Sequence, residues 1–233
     1  MRLFLFFIAF VAVACSSDEP TKITDNWIDP LEGLPDKGPI RFDNPEVGQR
    51  SRYVYFKALQ DMVTKDVTFT YDPDTLILGI TAKEYDKWVI REFISKGSQN
   101  LTSPENREVI NYLLIDSDSA HFSGPTNGDF FSWVFPGMKL AIPLQPVGDP
   151  APLNPDCIPL FDYDTKIWTQ YTIDYTQHGQ TFHHLNDYFD YTEMAGDGLG
   201  LMYAYGPAYG IVRWTWVSAW EQNEANGWDL VPE

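Results

Sequence analysis

Apolar and polar residues alternate in short runs through most of the chain beyond residue 47. Residues 138–144 are the clearest run, because Met138, Leu140, Ile142 and Leu144 all fall on alternate positions. Strands place alternate side chains on one face, whereas helices repeat every 3.6 residues. The pattern therefore predicts strands, and similar β-branched and aromatic runs occupy residues 52–57, 75–81, 87–94, 166–175, 200–205 and 209–218.

Many short strands separated by turn residues predict an all-β domain. We expect a single antiparallel β-sandwich or barrel-like domain, with short helical turns at residues 59–64, 82–86 and 103–111. Pro143 predicts an edge strand, because proline has no N–H to donate to a sheet. Gly79 indicates a bulge, and Gly206, Pro207 and Ala208 predict a hairpin loop. Apolar residues make up 44% of the chain, enough for a hydrophobic core.

The charge of the chain excludes some functions. With 16 basic and 33 acidic residues, the formal charge is −17. A nucleic-acid-binding protein needs a basic surface to displace counterions from phosphates, so nucleic acid is excluded as a partner. Two cysteines are too few for a disulfide framework or a four-thiolate zinc site.

The first residues have the pattern of an export signal. Arg2 precedes an apolar run at residues 3–13, followed by Ala14 and Cys15. The run is shorter than the about 20 apolar residues that a membrane-spanning helix needs. We therefore expect residues 1–14 to be a cleaved signal peptide.

The residues around the expected cleavage site carry a family resemblance. Ala12-Val13-Ala14-Cys15 resembles a bacterial lipobox, which implies that the thiol of Cys15 receives a diacylglyceryl group. The next four residues resemble the export signal of surface lipoproteins of Bacteroidota: Ser16, Ser17, Asp18 and Glu19. The resemblance implies a lipid anchor in the outer membrane and display at the cell surface. Cys157 would then be the remaining thiol, and we expect it in the core.

Prolines and polar residues dominate the stretch between the lipobox and the strands. We expect residues 15–45 to be the lipidated N-terminus and a Pro/Gly-rich tether, and residues 46–233 to be the β domain. Four apolar residues of the tether are candidates to pack on the domain: Trp27, Ile28, Leu31 and Leu34.

Histidines at residues 178–184 are the densest group of candidate metal ligands. His178, His183 and His184, with Asp187, would have to converge for a metal-dependent hydrolase. His183 and His184 are adjacent, so they point to opposite faces of a strand unless a bulge intervenes. The sequence favours a polar hairpin over a metal site.

Paired aspartates are the candidate calcium ligands. The pairs are Asp72 and Asp74, Asp116 and Asp118, and Asp162 and Asp164. Two carboxylates separated by one residue can present oxygens to Ca²⁺, but aspartate in a turn more often bonds its own backbone. We expect no cofactor, with Ca²⁺ as the alternative.

Tryptophans are the candidate contacts for sugars. Trp214 and Trp216 share a strand face and Trp220 follows, so the three could stack on sugar rings or fill the core. Residues 198–214 resemble the closing hairpin of β-rich Bacteroidota lipoproteins, which implies no activity. We expect Arg213, within this hairpin, to pair with an acidic neighbour.

These features favour a non-catalytic, surface-exposed lipoprotein that binds envelope proteins or glycans or has a structural role in the envelope. The alternatives are a carbohydrate-binding module and a metal-dependent hydrolase. The sequence contains none of the common nucleophile, zinc-helix or phosphate-loop motifs.

Overall fold

A computed structural model describes residues 30–61, 63–64, 66–96, 108–124, 139–145, 167–190, 199–218 and 224–232. Within them the chain forms eleven strands: β1 (Arg50–Gln60), β2 (Val67–Glu84), β3 (Lys87–Lys96), β4 (Glu108–Ile115), β5 (Ser119–Ser123), β6 (Lys139–Pro143), β7 (Ile167–Gln177), β8 (Gln180–Asp190), β9 (Leu199–Gly206), β10 (Gly210–Ser218) and β11 (Glu224–Leu230). No described segment is a helix long and apolar enough to cross a membrane.

All eleven strands belong to one antiparallel sheet, in the order β6-β5-β4-β3-β2-β1-β11-β10-β9-β8-β7. The sequence prediction of an all-β fold is therefore confirmed. Pro143 ends β6, which is an edge strand as expected. The loop at residues 207–209 joins β9 to β10, so the hairpin predicted there is also confirmed.

The sheet is curved so that its two ends face one another. Every strand contributes at least one buried side chain to a single core, from Ile142 of β6 to Tyr175 of β7. The side-chain amide of Asn186 in β8 donates to the carbonyl oxygens of Pro143 and Gln145, both at 3.3 Å. The ends of the sheet are thus brought together by packing and side-chain bonds, which gives the domain a barrel-like form.

The segment before β1 packs against the sheet, so the folded part begins earlier than the expected boundary at residue 46. Leu31, Ile40 and Phe42 are at most 3% exposed. The backbone N–H of Phe42 donates to the carbonyl oxygen of Pro207 at 2.7 Å, and its ring contacts that of Phe122 edge to face. This N-terminal segment, residues 30–49, is part of the domain rather than of the tether.

Leu31 explains Gly79 better than a bulge does. A Cβ placed on Gly79 would lie 2.5 Å from the Leu31 Cδ2 atom, and the register shifts of β2 against β3 fall on either side of Gly79. Leu34 is partly buried beside Leu31, so both packing predictions for these leucines are confirmed. Trp27 and Ile28 lie outside the described residues.

Where the structure describes them, the expected helical turns are strands and turns; residues 62 and 103–107 lie outside the described residues. Residues 59–60 end β1, residues 82–84 end β2, and residues 108–111 belong to β4. In β4, Asn111 takes an inward position and donates to the Glu92 carboxylate at 3.1 Å. A polar residue on the buried face interrupts the apolar–polar alternation of β4, and the sequence pattern was therefore typical of a turn.

The packing of Leu31 over Gly79 can be tested by a double-mutant cycle. We expect Leu31→Ala to lower the free energy of unfolding by about 2–5 kcal/mol and Gly79→Ala to lower it by about 1–3 kcal/mol. The double variant should lose less than the sum, because the alanine at residue 31 makes room for the new methyl group. Urea denaturation measures all four proteins, and strictly additive losses would show that the two residues do not touch.

Candidate functional site

Arg213 and Asp229 form a buried ion pair on β10 and β11. They lie directly opposite one another in the register. Each is adjacent in sequence to a buried tryptophan on the opposite face of the sheet: Arg213 precedes Trp214, and Asp229 follows Trp228. The guanidinium donates from Nε and Nη2 to the two carboxylate oxygens at 2.5 and 2.7 Å. Arg213 is 3% exposed and Asp229 is fully buried. The expected acidic partner of Arg213 is therefore Asp229.

Three aromatic rings surround the Arg213 guanidinium. Its central carbon lies 4.7 Å from the ring centre of Phe69, 5.0 Å from that of Phe56 and 5.7 Å from that of Tyr175. Ring faces attract cations, and the attraction is stronger where water is excluded. The rings therefore stabilise the charge of Arg213 in a place that burial alone would disfavour.

Two further side chains reach Asp229 from the side. The Tyr71 hydroxyl donates to Asp229 Oδ2 at 3.0 Å, and His178 Nε2 lies 3.7 Å from the same oxygen. Burial acts to raise the pKa of Asp229, but the contacts from His178, Arg213 and Tyr71 outweigh it and hold the pKa below its ordinary value. Asp229 is therefore a stable carboxylate with structural partners.

The β7–β8 turn brings His178 to this pair. His178 and Gly179 both have positive φ, 49° and 79°, as a two-residue hairpin turn requires. Gln177, just before the turn, donates from its amide to the carbonyl oxygens of Leu230 at 3.2 Å and Val212 at 3.5 Å. These bonds hold the tip of the hairpin against β10 and β11.

Asp187 lies on the same row of the sheet as the buried ion pair. It is opposite Ala204 of β9, which is opposite Arg213, and opposite residues share a face. Asp187 is 1% exposed, and its Oδ2 atom has no hydrogen-bond partner within the described part of the chain. Burial raises the pKa of Asp187 to about 7, although the charge of Arg213 acts to lower it.

The histidines do not converge on one site. His183 Nδ1 lies 2.5 Å from Asp174 Oδ1 on the exposed surface, whereas His178 contacts Asp229. His184 has a φ of 55°, but Ile173 and His184 are both unpaired and the register of β7 with β8 is the same on either side, so the bulge that a shared site would need is not seen there. No three histidine, cysteine or acidic side chains form a metal-binding group among the described residues.

Among the candidate calcium ligands, the structure shows the side-chain contacts of one pair, Asp116 and Asp118. Asp116 Oδ1 accepts from the backbone N–H groups of Asp118 and Ser119 at 2.8 and 2.7 Å, and Oδ2 lies 2.7 Å from His121 Nε2. The bond from Asp118 is the main reason that the pKa of Asp116 is lowered. Asp116 thus organises its own turn. Asp162 and Asp164 lie outside the described residues, as does the side chain of Asp74.

Trp214, a candidate for sugar stacking, is 2% exposed and belongs to the main core. It cannot present its ring to a ligand, so of the two alternatives for Trp214 the core is confirmed and sugar stacking is wrong. The side chain of Trp216 and all of Trp220 lie outside the described residues, as do Cys15, Ser16, Ser17, Asp18, Glu19 and Cys157.

A pocket of about 430 Å³ opens where the start of β1, the β7–β8 turn and the end of the chain meet. Its polar lining is Arg50, Arg52, Gln180 and Tyr209, beside Leu230 and Val231 of the C-terminal stretch. A volume of this size suits a small ligand. The sequence did not predict this pocket, because Arg50 and Arg52 belong to no recognisable motif. They lie at alternate positions of β1, a strand that the sequence did predict.

Comparison with known proteins gives no functional assignment. No protein-family model matches the chain, and no curated protein matches it. One solved structure is similar over 78% of this chain and 95% of its own: the crystal structure of a β-barrel-like protein of domain of unknown function DUF1849 from Brucella abortus. The identity is 9% and the TM-score is 0.20, so the likeness carries no argument about function.

Removing one member of the buried ion pair should destabilise the domain strongly. We expect Arg213→Met to lower the free energy of unfolding by about 3–5 kcal/mol, because it leaves Asp229 buried without its cation. Arg213→Met combined with Asp229→Leu should lose less. The control is Arg41→Met, whose exposed contact with Asp43 at 4.0 Å contributes about 1 kcal/mol or less. Equal losses for the single and double variants in urea denaturation would contradict the pairing.

Asp187 should make stability depend on pH. Its pKa rises from 3.8 to about 7 on folding, so between these values the folded protein holds a proton that the unfolded chain has lost. Stability from this group is present at low pH and declines as the pH rises towards 7. We expect wild type to be less stable at pH 8 than at pH 5, and Asp187→Asn to remove that decline. The same decline in the variant would assign it to other groups.

Proposed function

We propose that this protein is a lipid-anchored lipoprotein of the outer membrane, displayed at the cell surface, with a non-catalytic binding role. The observation that carries the binding role is the pocket beside Arg50 and Arg52, about 430 Å³ in volume. The sheet around it is a rigid support, since binding sites on strands hold their side chains more precisely than sites on loops.

The arrangement of the candidate catalytic groups supports binding over hydrolysis. His178 Nε2 lies 3.7 Å from Asp229 Oδ2, whereas His183 is bonded to Asp174. A hydrolase of the proposed metal-dependent kind needs its ligands around one open coordination position. These histidines instead stabilise separate parts of the β7–β8 hairpin.

The anchor and the export signal rest on the lipobox resemblance at residues 12–15 and on the four residues that follow. Cleavage before Cys15 would remove Arg2, leaving 15 basic and 33 acidic residues and a formal charge of −18. Such a charge keeps a domain solvated and away from an anionic envelope. Envelope proteins and glycans are the proposed partners.

Replacing the proposed lipidation site should release the protein from the membrane. We expect Cys15→Ala to stop incorporation of a labelled fatty acid and to move the protein to the soluble fraction, because the acyl chains supply the membrane affinity. The matched control is Cys157→Ala, which removes the other thiol and should leave labelling and fractionation unchanged. Continued labelling of Cys15→Ala would refute the anchor.

Surface display is tested separately. In intact cells we expect added protease to degrade the wild-type protein and to spare the Asp18→Ala, Glu19→Ala double variant, which should stay in the membrane on the inner side. Glu84→Ala with Asp86→Ala is the control, because it removes the same charge from an exposed turn. Equal degradation of all three proteins would show that Asp18 and Glu19 do not direct export.

A further inference from the structure

A second pocket, which we call the outer pocket, opens on strands β3 to β6 and has a volume of about 250 Å³. Leu114, His121 and Ala141 line it and lie opposite one another on β4, β5 and β6, so their side chains share a face. Leu113 and Ile142, which neighbour two of them along the chain, are fully buried in the main core. Because adjacent strand residues point to opposite faces, the outer pocket lies on the side of the sheet away from that core.

Three polar groups of the outer pocket have no side-chain partner among the described residues. They are the ammonium group of Lys87 and the hydroxyl groups of Tyr112 and Ser123. Tyr112 lies between Val89 of β3 and Ser123 of β5 in the register, and Lys87 is two residues before Val89, so the three groups share one face. Glu84 lies opposite Lys87 in the β2–β3 hairpin, but its carboxylate stays more than 4.0 Å from the ammonium group.

These groups make the outer pocket rich in hydrogen-bond donors. An ammonium group has three N–H donors and no acceptor, and each hydroxyl group can donate once. No carboxylate lies among the described residues that line the pocket. The carboxylate bonded to His121, that of Asp116, also accepts from the backbone N–H groups of Asp118 and Ser119 and so remains with its own turn. Negatively charged oxygen atoms form the strongest bonds with such donors, so the site selects an oxyanion.

The remaining lining and the volume restrict the anion further. Leu114 and Ala141 contribute apolar surface, and the side chain of Tyr112 is half-buried. The volume lies below the about 300 Å³ at which pockets for drug-sized ligands begin, so the ligand is small. Lys87 supplies one positive charge, which matches a carboxylate better than a phosphate monoester, whose charge is about −1.5 to −2.

We propose that the outer pocket binds a small organic acid, with its carboxylate on the Lys87 ammonium and the two hydroxyl groups and its apolar body on Leu114 and Ala141. This inference goes beyond the proposed function, because the outer pocket shares no lining residue with the pocket beside Arg50 and Arg52.

The test is a ligand-observed NMR titration of the detergent-solubilised full chain with sodium benzoate. Benzamide has the same ring without the charge, and acetate has the charge without the ring. We expect benzoate to bind about tenfold more tightly than either, because benzamide loses the charge-assisted bonds and acetate loses the apolar contact. Lys87→Gln should remove the preference over benzamide, whereas Lys87→Arg should keep it. Tyr112→Phe should weaken benzoate binding about threefold.

The matched control is Lys83→Gln, which removes the same charge from the same hairpin. Lys83 lies opposite Trp88, and its ammonium group lies 4.2 Å from the centre of the Trp88 ring. Trp88 packs against the main core, so Lys83 is on the other face of the hairpin from Lys87. We expect Lys83→Gln to bind benzoate as wild type does. Equal weakening by Lys83→Gln and Lys87→Gln would assign the effect to net charge and refute the site.

Other outcomes would also overturn the inference. Absence of benzoate binding, or equal binding of benzamide, would show that the outer pocket does not recognise a carboxylate. Tighter binding of phenyl phosphate than of benzoate would assign the pocket to phosphate instead. Benzoate binding that Lys87→Gln leaves unchanged would place the ligand elsewhere. None of these results bears on membrane release by Cys15→Ala or on the pocket beside Arg50 and Arg52, so the proposed function stands or falls separately.

Discussion

The buried pair of Arg213 and Asp229 is the interaction on which much of this domain depends. Two charges withdrawn from water are tolerated only where geometry and further bonds offset the cost of desolvation. Here the pair is bidentate, Tyr71 of β2 adds a hydrogen bond, and aromatic rings cover the cation. A one-residue slip of β10 against β11 would separate the charges, so the pair also fixes the register of the two strands.

The pocket exists because distant parts of the chain meet beside that pair. The N-terminal segment orients Arg50 and Arg52 through Asp36 and Leu34. The β7–β8 hairpin contributes Gln180, and its tip is held by the bonds of Gln177 to β10 and β11. Neither part forms the pocket alone. A structural element that holds the core together is thus also the wall of the proposed binding site.

The sequence predicted the class of fold and several strands, because alternation reports directly on a sheet with one buried face. It failed where buried polar residues interrupt the pattern: Asn111 in β4 bonds Glu92, and Asp187 lies buried in β8. The pairing of Arg213 was anticipated, although its partner depends on strand order, which alternation does not encode. For Trp214 the sequence left both the core and a ligand contact open, because a strand face is buried or exposed only through its neighbours in the fold. The pocket depends on long-range contacts of Arg50 and Arg52 and left no local signal.

The strand order has a consequence for how the chain folds. β1 lies between β2 and β11 in the sheet, and the Tyr53 hydroxyl donates to the carbonyl oxygen of Ile211, 158 residues away. The first strand therefore lacks its second neighbour until the last strand has been synthesised, and contacts between such distant residues form slowly. If the chain is exported as proposed, the late pairing of β1 with β11 keeps the polypeptide unfolded while it passes through a translocation channel. The sheet then forms on the far side of the membrane.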